Sequence, residues 1–208
     1  MKNSVEIVEV GPRDGLQNEP ALFPTPKKIE LISRLVAAGV RRLEVASFVH
    51  PKLVPQMADA EAVVAGLPVA KDVTCIGLVL NEKGFVRALA TRKNGYGIRE
   101  IGCVAVASDS FGEKNQGQTS AESVKISKEI IRKARAEGLS AQVTLSASFG
   151  CPFEGLMPVE KVIRIVRELA EAEPKEISIA DTIGAAVPSH VAEVFGKARE
   201  AAPGIRLR

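Results

Sequence analysis

Short apolar, β-branched runs alternate along the chain with longer stretches whose apolar positions recur at helical spacing. The runs predict strands over Val5–Val10, Arg42–Ser47, Val73–Leu80, Glu100–Ala107, Ala141–Ser146 and Glu176–Ala180. End signals place the helices between them. Thr25 followed by Pro26 reads as an N-cap with proline in the first turn, and Gly39 closes that helix. Thr119 and Glu122 stand at capping-box spacing ahead of Val124, Ile130, Ile131 and Ala134, with Gly138 at the far end. Pro158 opens a third helix, with Val159, Val162, Ile163, Val166, Leu169 and Ala170 on one face. Pro188 opens the last, with Val191, Val194, Phe195 and Ala198 on its inner side. A βαβα alternation of this kind predicts a parallel sheet with helices packed outside it.

The repeat also counts the units. Val5 to Glu176 covers five repeats of roughly 34 residues, so six units use nearly all of the 208 residues. Ile205–Arg208 then reads as the opening of a seventh strand. Eight units would need about 270 residues, the usual size of a (β/α)8 barrel. An open six-stranded sheet and an α/β (β/α)8 TIM barrel with about six of its eight units present both fit. No composition shift marks a boundary, so one domain over residues 1–208 is expected.

Composition narrows the partners. Lys and Arg total 28 against 25 Asp and Glu, a net charge of +3, and there are seven Phe, one Tyr and no Trp. That is too little charge and too few stacking platforms to imply a nucleic-acid partner. No apolar run reaches the length of a membrane span, and the N-terminus carries no signal-peptide core. Three scattered cysteines, Cys75, Cys103 and Cys151, read as reduced thiols in a cytoplasmic protein. There is no Walker loop, no Gly-x-Ser-x-Gly elbow and no dinucleotide fingerprint.

In a parallel α/β fold, ligands bind at the carboxyl ends of the strands. The first strand delivers Gly11-Pro-Arg-Asp-Gly15 there. Asp14 has the hard oxygen donors that suit Mg²⁺ or Mn²⁺, and Arg13 presents a permanently charged fork to an oxyanion. A solvated turn, with Asp-Gly as ordinary turn chemistry, competes with that reading. Glu44 lies inside a strand, where a carboxylate is costly to desolvate unless paired; either Arg13 is its partner or the residue sits on a wet edge. Asp181 is placed at the carboxyl end of the sixth strand, so Asp14, Glu44 and Asp181 are expected at one end of the sheet. His50, His190 and Cys151 read as structural by default.

These residues carry a resemblance. Val10–Glu19 (VGPRDGLQNE) resembles the first-strand signature of hydroxymethylglutaryl-CoA lyases. Glu44–Gln56 (EVASFVHPKLVPQ), Phe149–Gly155 (FGCPFEG) and Ile177–Gly184 (ISIADTIG) are similar to that family's later segments. Related Claisen-type synthases share Arg-Asp-Gly but continue with Glu-Gln, whereas Leu16-Gln17-Asn18-Glu19 follows here. The resemblance implies a TIM barrel that cleaves 3-hydroxy-3-methylglutaryl-CoA to acetyl-CoA and acetoacetate. It implies Asp14 as a ligand to a divalent metal, Mg²⁺ or Mn²⁺, and Arg13 and Glu44 as the catalytic pair. Arg13, Gln17, Asp181 and Thr182 would bind the acyl-CoA substrate. The family's remaining metal ligands, a His-x-His pair and an Asn, and its reactive Cys match no residue of this sequence. An acyl-CoA Claisen synthase and a non-catalytic acyl-CoA-binding fragment are the alternatives. Unpaired strand edges would favour a homo-oligomer.

Overall fold

The strand Arg42–Ser47 (β1) is buried at every position, as expected of a strand covered on both faces. The computed structural model describes residues 5–68, 70–92 and 96–208. They fall into two compact units, one ending at Ile101 and the other starting at Gly102.

In the first unit β1 runs parallel to β2 (Thr74–Leu78), with Arg42 opposite Thr74 and Glu44 opposite Ile76. The register then slips, so that Ala46 faces Gly77, placing a bulge directly after Glu44. The Arg99 N–H donates to the Cys75 carbonyl just before β3 (Glu100–Val106), which spans the boundary between the units. Helices α1 (Thr25–Ala37), α2 (Ala60–Ala65) and α3 (Glu82–Ala90) complete the unit. Of these only α1 has its ends written in the expected signals, and there the cap is shifted. Pro24 is the N-cap, and the Thr25 hydroxyl donates to Asp59 Oδ2 at 2.6 Å instead of capping its own helix. Gly39 ends it as expected, at a φ of +103° that favours glycine.

The first expected strand, Val5–Val10, is corrected. It reduces to one parallel bridge, Glu9 with Leu43, in which the Glu9 N–H donates to the Arg42 carbonyl and Glu44 N–H to that of Glu9. Val5 and Ile7 are 90% and 74% exposed, so extending the pairing would bury nothing on their side.

In the second unit β4 (Ser140–Ser146) lies between β3 and β7 (Glu176–Ile179), and β7 pairs in parallel with β8 (Arg206–Leu207). The seventh strand therefore begins where the pattern placed it. A two-residue-armed hairpin, β5 (Gly150–Cys151) with β6 (Gly155–Leu156), follows β4. The helices are α4 (Asp109–Gln116), α5 (Ser120–Ala136), α6 (Val159–Ala170) and α7 (Pro188–Ala201). The capping box of α5 forms as expected, with Thr119 and Glu122 exchanging side-chain and backbone bonds. On α7 the expected inner face is only half covered. Val194 and Ala198 are buried, but Val191 is 37% exposed. It lines an apolar groove of about 610 Å³ with Phe149, Ile179, Val187 and Phe195. No described helix is long and apolar enough to cross a membrane.

One buried charge cluster anchors the amino-terminal end of β1. Arg42, 2% exposed, donates to Glu100 at 2.5 Å and to Glu6 at 3.1 Å, and Glu100 is fully buried. Removing one member of such a cluster strands the other charge, and that cost exceeds the worth of the pair itself. Arg42→Ala is expected to lower unfolding free energy by about 3–5 kcal/mol in urea titrations. A loss below about 1 kcal/mol, the range of a solvated pair, would show that Glu100 finds water instead.

Candidate active site

The chain leaves the Glu9 bridge and turns at once. The Asp14 N–H donates to the Val10 carbonyl at 2.7 Å, and the Leu16 N–H reaches back to those of Gly11 and Arg13. The result is a wide, π-type turn over Gly11–Gly15, a form that recurs at functional sites. Pro12 is buried, and the Arg13 side chain reaches β1. There the Arg13 Nε donates to Glu44 Oε2 at 2.7 Å, and Nη2 donates to the same oxygen. Nη1 donates to Asp14 Oδ1 at 2.8 Å. Side-chain exposure falls from 53% at Asp14 through 14% at Arg13 to 6% at Glu44.

This arrangement answers the question posed by a carboxylate within a strand. Glu44 is buried because Arg13 satisfies it, and Arg13 is oriented because Glu44 cannot move. A guanidinium has five N–H bonds. The three contacts above leave one on each Nη for a ligand. The fixed plane makes these donors pre-oriented for an oxyanion, with little reorganisation left to do on binding. Close by in sequence, Gln17 Oε1 is buried without a hydrogen-bond partner, an acceptor that a ligand's donor would satisfy.

Asp181 and Thr182 belong to the second unit. The Asp181 carboxylate is exposed and accepts from the N–H groups of Ala185 and Ala186, at 2.8 and 3.0 Å. Thr182 Oγ1 accepts from the Ala147 N–H at 2.8 Å. Ala147 is fully buried with φ at +56°, a left-handed conformation costly for a residue with a Cβ. Both side chains thus shape the turns that follow β4 and β7. His50 Nδ1 accepts from the Lys52 N–H, and the His190 ring stands edge-on to Phe149 at 5.2 Å, in keeping with structural roles.

A metal ligand set is not assembled by these residues. Among the described residues no group of three or more His, Cys, Asp or Glu could hold an ion. Asp14 offers one half-exposed carboxylate that already accepts from Arg13, which does not fit a divalent-ion site by itself.

The hairpin after β4 holds a network the sequence did not announce. Ser108 N-caps α4, and its hydroxyl lies 2.7 Å from Glu154 Oε1 and 3.0 Å from Cys151 Sγ. Glu154 Oε1 also accepts from the Ser110 N–H at 2.8 Å. Burial raises the Cys151 thiol, but the Ser108 hydroxyl and the N–H groups of Phe153 and Glu154 outweigh it and hold the thiol below its ordinary value. Burial pushes the Cys75 thiol up to about 11 against the opposing charge of Arg99, and burial alone raises that of Cys103 further.

Residues 4–206 match the family described as HMGL-like. The chain belongs to the HMGL-like family. It is 42% identical to the hydroxymethylglutaryl-CoA lyase of Bacillus subtilis over 191 residues, 92% of this chain and 62% of that protein. It is 38% identical to the (R)-citramalyl-CoA lyase of Chloroflexus aurantiacus over 195 residues, 91% of this chain and 61% of that one. The crystal structure of the B. subtilis lyase matches with a TM-score of 0.91 at 39% identity, over 98% of this chain and 66% of that one. The chain therefore spans less than two thirds of these two relatives' length. The HMGL-like assignment carries the parallel α/β fold of the (β/α)8 barrel, one of the two architectures that the repeat count leaves open and the one that the resemblance implies.

Glu154 gives a pH test. Burial raises its carboxyl, yet the Ser110 N–H and the Ser108 hydroxyl outweigh this and lower it below the ordinary carboxylate range. A carboxyl depressed in the folded state contributes stability above its unfolded pKa and loses it as pH falls through the folded one. The Tm advantage of the natural chain over Glu154→Gln is expected to be full at pH 7 and to shrink between roughly pH 5 and pH 3. An advantage that does not change with pH would show the carboxylate charge to be irrelevant.

Proposed function

We propose that this chain forms the larger part of a carbon–carbon lyase, one barrel domain that cleaves 3-hydroxy-3-methylglutaryl-CoA to acetyl-CoA and acetoacetate. The observation that carries the reading is the Arg13 guanidinium, fixed by Glu44 with two N–H bonds to spare. Retro-Claisen cleavage breaks the bond between the carbinol carbon and the carbon next to the thioester. The bonding pair moves onto the thioester as an enolate, the hydroxyl proton leaves to a base, and the carbinol carbon becomes the ketone of acetoacetate. Protonation of the enolate carbon then yields acetyl-CoA.

Arg13 meets the need for a cation at the thioester oxygen, where negative charge grows only in the transition state. Glu44 holds it there and lowers its entropy before substrate arrives. The unpartnered Gln17 Oε1 would accept from the substrate's hydroxyl. Asp14 would be one oxygen ligand to a divalent ion, Mg²⁺ or Mn²⁺. Asp181 and Thr182 would shape the substrate-binding turn after β7. A cytoplasmic location and self-association through the exposed apolar side chains of Val5 and Ile7 belong to the same reading.

The citramalyl-CoA lyase relative makes the acyl group the open variable, because the cleavage is the same in kind. The full-length protein, given 3-hydroxy-3-methylglutaryl-CoA and a divalent ion, is expected to release acetyl-CoA and acetoacetate in equal amounts. It should turn this thioester over faster than citramalyl-CoA. Arg13→Gln is expected to lower kcat about 10²–10³-fold, with KM changed by no more than about threefold. Near-normal turnover in that variant would remove Arg13 from the chemistry.

A further inference from the structure

The turn that carries Arg13 is continued by residues 16–24, and almost nothing packs that segment in place. Leu16 and Gln17 are half-buried, and every residue from Asn18 to Pro24 is exposed. Its internal bonds are short-range: Asn18 Nδ2 donates to the Asp14 carbonyl at 2.8 Å, and the backbone N–H groups of Asn18 and Glu19 donate to Gly15 and Leu16 at 3.2 and 3.3 Å. A segment with so little buried apolar surface opens at low cost unless something polar holds it.

Among the described residues, one long-range hydrogen bond does. Gln56 Nε2 donates to the Glu19 carbonyl at 3.0 Å across 37 residues of sequence. Gln56 sits in a short 3₁₀ turn, Pro55–Met57, and is itself pinned through its backbone. Its carbonyl accepts from Lys28 Nζ at 2.5 Å, and the same ammonium donates to Asp59 Oδ1 at 2.5 Å. The Lys28 side chain is only 5% exposed. A buried ammonium demands acceptors, so the Gln56 carbonyl and Asp59 are fixed by that demand. Asp59 Oδ2 in turn takes the Thr25 hydroxyl, which ties the cluster to the first turn of α1.

Building on the proposed lyase chemistry, we infer that Gln56 is a positioning residue for Arg13, held in place by the buried Lys28–Asp59 pair. The loop 11–19 is then clamped at both ends, by Glu44 at Arg13 and by Gln56 at Glu19. Neither Gln56 nor Lys28 touches the reacting atoms. They act by keeping the π-type turn in the one conformation that lays the guanidinium against Glu44. A loose distal end would let the turn unwind and spread Arg13 over many orientations. The cost would fall on the chemical step, where orientation counts, more than on binding.

Gln56 is half-exposed, so its replacement leaves the core intact, whereas Lys28→Met strands Asp59 and tests folding as much as position. The measurement therefore uses Gln56→Ala and Gln56→Lys, the second keeping an N–H donor of similar reach. Amide exchange of Leu16, Asn18 and Glu19 is followed in the 208-residue chain, and kcat and KM in the full-length protein. Gln56→Ala is expected to speed exchange at these three amides about tenfold or more, with exchange in α1 and β1 unchanged. It should lower kcat about tenfold with KM within about twofold, and Gln56→Lys should restore both. Unchanged exchange in Gln56→Ala would overturn the clamp whatever the reaction proves to be. Faster exchange with undiminished kcat would overturn the positioning role. Absence of turnover in the unsubstituted protein would count against the lyase reading alone and leave the exchange result to decide the clamp.

Discussion

A carboxylate buried inside a parallel strand is the constraint on which the first unit of this protein turns. Glu44 is 6% exposed and has one cationic partner to make that tolerable. Arg13 supplies it from a turn that begins as soon as the Glu9 bridge ends, so the turn must be wide enough, and short enough, to bring residue 13 back over β1. The bulge after Glu44 and the burial of Pro12 belong to the same local solution. The consequence is functional as well as structural: an arginine whose orientation is settled before any ligand arrives, with donors left over.

Much of this was legible in the sequence, for identifiable reasons. A charge within a strand is expensive, and a cation 31 residues earlier at a strand end was the available remedy, so the Arg13–Glu44 pair could be read from cost alone. The α5 boundaries were legible because Thr119, Glu122 and Gly138 write them in local chemistry. The unread parts lack such local marks. The Val5–Val10 pattern reads as a strand, but strand formation needs a neighbour and burial, and Val5 and Ile7 receive neither. The hairpin Gly150–Leu156 has arms of two residues, too short for any alternation to register. Helices α2, α3 and α4 are six to nine residues long and carry few periodic positions.

The polar side chains beyond the first turn show a similar division. Gln56 closes the segment that begins at Glu44, yet nothing in its neighbours points to Glu19, because the contact spans 37 residues. The resemblance implies a substrate-binding role for Thr182, and its hydroxyl accepts from the backbone N–H of Ala147, whose φ is positive. Asp181 caps the turn that follows it. Hydrogen bonds of this kind shape the turns after β4 and β7, and sequence position at a strand end does not disclose them.

The claim beneath these points is that the Arg13 guanidinium is immobile in the free protein. Nitrogen-resolved NMR of the arginine side chains in the 208-residue chain addresses it directly. The account predicts a resolved Arg13 Nε–H signal that exchanges with water at least about tenfold more slowly than that of exposed Arg164. The difference should persist at high salt, as expected of a shielded pair, and vanish in Glu44→Gln. An Arg13 signal that exchanges as fast as Arg164 would mean the guanidinium is free in solution and would contradict the account.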